Sequence, residues 1–96
     1  MEIKFKDVNF GIVEARAVIK LSEGIILNEV TVLSRDGKIE IEFPQKTFKA
    51  KNGKYQSYDI ITFETEDEKT LFALQVKNAY YDFRKIQKKV RVFDSQ

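Results

Sequence analysis

Between Gln45 and Tyr58 stand four lysines, Lys46, Lys49, Lys51 and Lys54, interleaved with the aromatics Phe48 and Tyr55 and interrupted by no acid. These residue types at this spacing suit a polyanion. Ammonium groups neutralise phosphates, and an aromatic ring can stack on an unpaired base for ~1–3 kcal/mol per base. A second basic run, Arg84, Lys85, Lys88, Lys89 and Arg91, follows near the C-terminus, again without an acid. Lys69 and Lys77 lie between the two runs and extend the candidate set. Each feature also has a plainer reading. The lysine loop can be a solvated connection whose aromatics pin it to a sheet. The late basic run can simply be favourable charge at a helix C-terminus, worth ~0.3–1 kcal/mol.

Other chemistry has little to stand on. The chain has no histidine and no cysteine, which removes the commonest neutral-pH acid/base, the commonest metal ligand and any thiol or disulfide chemistry. Glu40 and Glu42 share one strand face, and solvated surface explains them better than a catalytic pair. Glu64, Glu66, Asp67 and Glu68 lack the alternating acids and glycine of a calcium loop. No catalytic residue, cofactor, metal or small-molecule substrate is expected, and the chain does not read as an enzyme. The net charge of +2 is too small to identify a polyanion binder; the segregation of charge is the informative part.

The elements that must position these residues are short. Ninety-six residues make one small domain, for which a dimer interface is a natural supplement to the core. No apolar run approaches the ~20 residues that span a bilayer. The N-terminus opens on strand-like alternation without a signal pattern, so the chain reads as cytoplasmic and unattached to a membrane.

Ile3 and Phe5 oppose Lys4 and Lys6, and a phase change to Val8 and Phe10 points to a bulge near Lys6-Asp7. Residues 14–21 form a second strand, with Ala15, Ala17, Ile19 and Leu21 on one side. Ser22-Glu23-Gly24 is a turn. Residues 25–33 are apolar on both faces, as are residues 58–63, and strands of that kind need cover on both sides. Asp36-Gly37 is the strongest hairpin signal, followed by the alternation Ile39, Ile41, Phe43 and by Pro44, which ends a strand. Residues 45–54 are a loop or weak hairpin with Asn52-Gly53 at its tip. Thr65 and Glu68 form a capping box. Phe72, Val76, Ala79, Tyr80 and Phe83 then make one helical stripe, widened by Leu71 and Leu74. Beyond Phe83 the helix either runs to about Lys89 or gives way to a loose tail; Val90, Val92 and Phe93 allow a short strand. The sum is an α+β fold: a small, mostly antiparallel sheet of about five strands followed by one C-terminal amphipathic helix. Residues 1–83 form the domain and 84–96 a basic tail.

Taken in order, several segments resemble the stage V sporulation protein G (SpoVG) family of bacterial septation regulators. Asp7-Val8 is similar to the end of that family's first strand, and Ala15-Arg16-Ala17-Val18-Ile19-Lys20-Leu21 to its second. Gly24 to Leu33, with Asn28-Glu29-Val30, resembles the third, and Gly37 to Pro44 the strand that ends in the family's proline. Gly53-Lys54-Tyr55, Asp59-Ile60, and Phe72, Val76 and Ala79-Tyr80 complete the likeness over nearly the whole chain. There are departures. The family's Ser-Lys-Arg after the proline is Gln45-Lys46-Thr47 here, and its His-Pro is Thr62-Phe63. A basic pair opening the helix becomes Lys69, with Leu71 at the second position. The resemblance implies a homodimer that binds DNA, and in some members RNA, and regulates gene expression or cell division without catalysis or cofactor. Its expected contacts are Lys46, Lys49, Lys51, Lys54, Lys69, Lys77, Arg84, Lys85, Lys88 and Lys89, with Phe48 and Tyr55 as stacking candidates. The competing expectation is a protein-interaction module of the same fold, pairing through exposed strand edges.

Overall fold

The structure, a computed structural model, describes residues 1–94, and side chains as far as residue 86. Six strands and one helix follow in order: β1 (Glu2–Phe10), β2 (Val13–Ser22), β3 (Ile25–Arg35), β4 (Lys38–Glu42), β5 (Gln45–Lys49), β6 (Tyr55–Asp59) and α1 (Glu66–Asp94). The fold is α+β. The strands divide into an antiparallel meander, β1-β2-β3-β4, and a separate hairpin, β5-β6, rather than one sheet of about five.

The meander follows from its turns and its alternation. Asp36 and Gly37 both take positive φ, 51° and 79°, the backbone of the two-residue turn that matches strand twist. Arg35 and Lys38 pair across it. The irregularity expected at Lys6-Asp7 falls slightly later: β1 and β2 keep register from Glu2↔Lys20 to Asp7↔Ala15 and lose it between Asp7 and Phe10. Asn9 there takes a φ of 51°, which asparagine tolerates better than most residues.

α1 covers one face of the meander. Ala15, Ala17, Ile19, Val30 and Val32 are fully buried beneath α1, where Val76 and Tyr80 meet them. Alanines on the central strand leave room for the helix to approach, so that a tyrosine fits above Ala15 and a valine above Ala17. Phe5 meets Tyr80 edge-on at 5.4 Å and Phe83 at 5.4 Å. Phe43, Phe63 and Phe72 form a second aromatic group, with ring centres 5.3 to 5.8 Å apart.

The N-cap is present: the Glu68 N–H donates to Thr65 Oγ1 at 3.1 Å. Leu71 and Leu74 do not widen the buried stripe. They are 61% and 48% exposed, because the sheet is covered along the row Phe72, Val76, Tyr80 and Phe83 only. The expected two-faced strand over residues 58–63 ends at Asp59, and Tyr58 and Ile60 stand exposed. In β3, Val30 and Val32 are buried on the face under α1 and Leu33 on the opposite one, whereas Ile25 and Ile26 are exposed. Residues 84–94 continue α1 and form neither a loose tail nor the strand considered for Val90, Val92 and Phe93.

Candidate nucleic-acid interface

The hairpin that carries the lysines forms for local reasons. Ala50 and Lys54 close the loop: the Ala50 N–H donates to the Lys54 carbonyl at 2.9 Å and the Gly53 N–H to the Ala50 carbonyl at 2.9 Å. Gly53 has a φ of 84°, a conformation that costs a residue with a Cβ but not glycine. The Lys54 N–H also donates to the Asn52 side chain at 3.0 Å. At the other end the Ile60 N–H donates to the Pro44 carbonyl at 3.1 Å, and Gln45 Nε2 donates to Asp59 at 2.7 Å. The hairpin is therefore tied at both ends, yet all ten residues of β5 and β6 are exposed.

Register sorts its side chains onto two faces. Residues directly opposite in an antiparallel pair share a face. Lys46 pairs with Tyr58 and Phe48 with Gln56, making one face; Gln45–Asp59, Thr47–Ser57 and Lys49–Tyr55 make the other. On the second face Thr47 and Ser57 share a hydroxyl hydrogen bond of 3.0 Å. Gln45 and Thr47 border a polar cleft with Arg16, Glu29, Thr31 and Glu42, so that face turns toward the meander. The two stacking candidates are thus on opposite sides. Phe48 lies against Tyr58 at 6.0 Å, and Tyr55 is 74% exposed. One run of unpaired bases cannot stack on both.

The remaining candidates separate. Lys69 is exposed beside the hairpin base, in a hollow that Asp59 also borders. Lys77 is half-buried and lines a groove of about 440 Å3 with Lys69, Ile39, Ile41, Ala73 and Leu74. Lys85 is exposed near Tyr81 and Asp82. The side chains of Lys88 and Lys89 lie outside the described residues.

Arg84 is half-buried and held against the sheet. Its Nε donates to the Tyr80 hydroxyl at 2.5 Å, and its guanidinium lies 3.4 Å from Asp7 and 3.7 Å from Glu14. The Tyr80 hydroxyl donates in turn to Glu14. Burial, reinforced by the bond to the Glu14 carboxylate, pushes the Tyr80 hydroxyl up to about 12. Burial also opposes the charge on Arg84, but the Tyr80 bond and the two carboxylates outweigh it and hold that guanidinium above its ordinary value. Arg84 therefore ties α1 to β1 and β2, contrary to its expected place among the phosphate contacts.

A further basic group went unassigned in the sequence. On the face of the meander away from α1, Lys6 stands directly opposite Arg16, with Lys4 and Lys20 on the same two strands and the same face. Like charges directly opposite are unfavourable, and among the described residues Lys6, Arg16 and Lys20 have no ion-pair partner. The alternation was visible in the sequence, but only pairing gathers these four cations on one face, where Glu2 pairs with Lys4 at 3.8 Å and stands opposite Lys20.

No helix among the described residues is long and apolar enough to cross a membrane. No protein-family model matches the chain, and no curated protein or solved structure does either.

Proposed function

We propose that this chain is a nucleic-acid-binding regulator of the SpoVG type, a cytoplasmic bacterial homodimer acting on gene expression or septation. The observation that carries the nucleic-acid part is the β5-β6 hairpin: an element whose strand residues are all exposed, with Lys46, Lys49, Lys51 and Lys54 and a single acid, Asp59, at its base. A hairpin of two five-residue strands is marginal by itself, and nothing in its composition serves a core. Its lysines supply phosphate contacts, joined by Lys69 at the base. The dimer part draws on exposed apolar side chains at Ile25 and Ile26 and along α1 at Leu71 and Leu74.

The experiment is a salt titration of binding to mixed-sequence DNA. Each phosphate neutralised releases condensed counterion, so log affinity falls linearly with log salt. Replacing Lys49 and Lys51 together by glutamine flattens that slope by about one to two units and weakens all sequences alike. An unchanged slope removes the hairpin from the mechanism, and absence of binding at low salt removes the reading.

A second reading has its own observation. β4 is an edge strand of the meander, and the groove beside it is lined by Ile39, Ile41, Phe43, Ala73 and Leu74. An open edge with an apolar groove is the geometry of strand addition by another chain. Binding of that kind is far less sensitive to salt, so the same titration separates the two.

A further inference from the structure

We infer that the β5-β6 hairpin is a two-stranded ribbon that enters the major groove of duplex DNA, its Lys46–Phe48–Gln56–Tyr58 face turned to the base edges. The inference rests on the nucleic-acid reading above and narrows it to one polymer and one groove.

Three observations converge. The first is shape. The major groove of B-DNA, about 12 Å wide, admits a two-stranded β-ribbon. Strands about 4.8 Å apart with side chains on either flank fill that width, and five residues at ~3.4 Å each reach along about five base pairs. The hairpin stands clear enough for this, since all ten strand residues are exposed.

The second is the division of its faces. Thr47 and Ser57 satisfy each other, and Gln45 holds Asp59, so that only the pair nearest the tip, Lys49 and Tyr55, is left without a hydrogen bond on this face among the described residues. That face also turns toward Arg16 and Glu42. The opposite face presents groups with no hydrogen-bond partner among the described residues: the Lys46 ammonium and the Gln56 amide. Both are base-edge readers by chemistry, which moves Lys46 from the phosphate contacts to the base contacts and leaves the phosphates to Lys49, Lys51 and Lys54. An amide can bond adenine N6 and N7 together, an ammonium meets guanine O6 and N7, and a phenyl ring packs on the thymine methyl. Gln56 and Phe48 are cross-strand neighbours, so they suit an adenine and a thymine methyl close together. Gln56 carries no charge and drew no notice in the sequence; only its pairing opposite Phe48 gives it this role.

The third is what the aromatics do not offer. Phe48 packs on Tyr58, and Tyr55 lies on the other face. A stacking platform for single strands needs ring faces aligned along one surface; Phe48 and Tyr58 share a face of the hairpin but are tilted 54° against each other, so they do not present such a row. Duplex RNA is excluded on different grounds, since its major groove is too deep and narrow for side chains to read.

The test uses the full chain and four probes of matched composition: random-sequence duplex DNA, the same DNA as single strands, duplex RNA, and duplex DNA with uracil in place of thymine. The expected results are tightest binding to duplex DNA, weaker binding once the thymine methyls are gone, and displacement by a major-groove ligand but not by a minor-groove one. Selection from the random duplex pool should enrich a short motif containing an adenine. Gln56→Ala should lose about 5- to 150-fold against that motif while keeping its affinity for random duplex, the range of one lost bidentate base contact. Because Gln56 is exposed, its thermal midpoint should not move, so a folding defect is read separately. Equal or tighter binding to single strands or duplex RNA overturns the inference. So does displacement by the minor-groove ligand, or an enriched motif bound equally by Gln56→Ala. In those cases the nucleic-acid reading itself survives. Binding to none of the probes at low salt overturns both.

Discussion

The meander with its helix and the β5-β6 hairpin are held together in opposite ways. Between α1 and the sheet, Ala15, Ala17, Ile19, Val30, Val32 and the helix residue Val76 are completely buried, and Tyr80 of the helix is 1% exposed. In β5 and β6 every residue is exposed. The first region is held by burial of apolar area, at roughly 25 cal/mol per Å2 removed from water. The second is held by its turn, its ladder and a few side-chain bonds, each worth ~0.5–1.5 kcal/mol net. Side chains used for packing are unavailable to a ligand. Those of the hairpin have no such duty, which makes it the region where function can be placed without loss of fold.

Breaking that contrast should be easiest at Tyr80. Tyr80→Ala removes the ring that fills the space above Ala15 and Val32 and contacts Phe5, and should cost about 3–5 kcal/mol in a denaturant titration. Substitution of a hairpin side chain that makes no hydrogen bond, Lys46, Lys49 or Gln56, should stay within about 0.5 kcal/mol. A hairpin change that rivals Tyr80→Ala would mean the hairpin belongs to the core.

The Tyr80 hydroxyl gives a second and somewhat smaller effect. Its folded value, pushed up to about 12, lies above the ordinary 10.0. The neutral hydroxyl is therefore favoured by folding. Its contribution is complete below pH ~10 and is lost as pH rises through about 12, by on the order of 2 kcal/mol. Comparing wild type with Tyr80→Phe isolates it, since lysines titrating in the same window are common to both. Identical alkaline profiles would show that the Tyr80–Glu14–Arg84 cluster does not couple α1 to the meander.

Next comes the helix N-terminus. Thr65→Ala should cost about 1 kcal/mol through loss of the cap to Glu68, less than Phe72→Ala at about 3 kcal/mol, whose ring is half-buried against Phe43 and Phe63. The reverse order, read from denaturant midpoints, would place the helix start elsewhere. Smallest in stability is Lys49→Gln with Lys51→Gln, within about 0.5 kcal/mol. If this pair shifts the thermal midpoint appreciably, the hairpin lysines have a structural duty and the contrast between the two regions blurs.

The elements of the fold were legible because each had a local cause. Asp36-Gly37 specified its turn, Thr65 with Glu68 the helix start, and Asn52-Gly53 the hairpin tip. Alternation placed Ala15, Ala17 and Ile19 inward, and spacing placed Val76 and Tyr80 together. Misreadings came where cover was inferred from apolar character. Leu71, Leu74 and Ile60 look like core residues in sequence, but burial depends on what lies opposite, and a four-stranded sheet offers α1 only one narrow row. The helix past Phe83 was obscured because its amphipathic pattern fades there, although nothing in residues 84–94 breaks a helix.

The candidate site divides along the same line. The sequence by itself determined that a one-signed lysine segment surrounds Asn52-Gly53, in a loop or weak hairpin, and that His or Cys chemistry is impossible. Tertiary structure alone decided which cations act together. It withdrew Arg84 into a cluster with Tyr80, Glu14 and Asp7, joined Lys6 to Arg16 across a strand pair, and put Phe48 and Tyr55 on opposite faces. The physical reason is that local conformation is written in neighbouring residues, whereas the sharing of a surface depends on strand register and on packing between residues as distant as Glu14 and Tyr80.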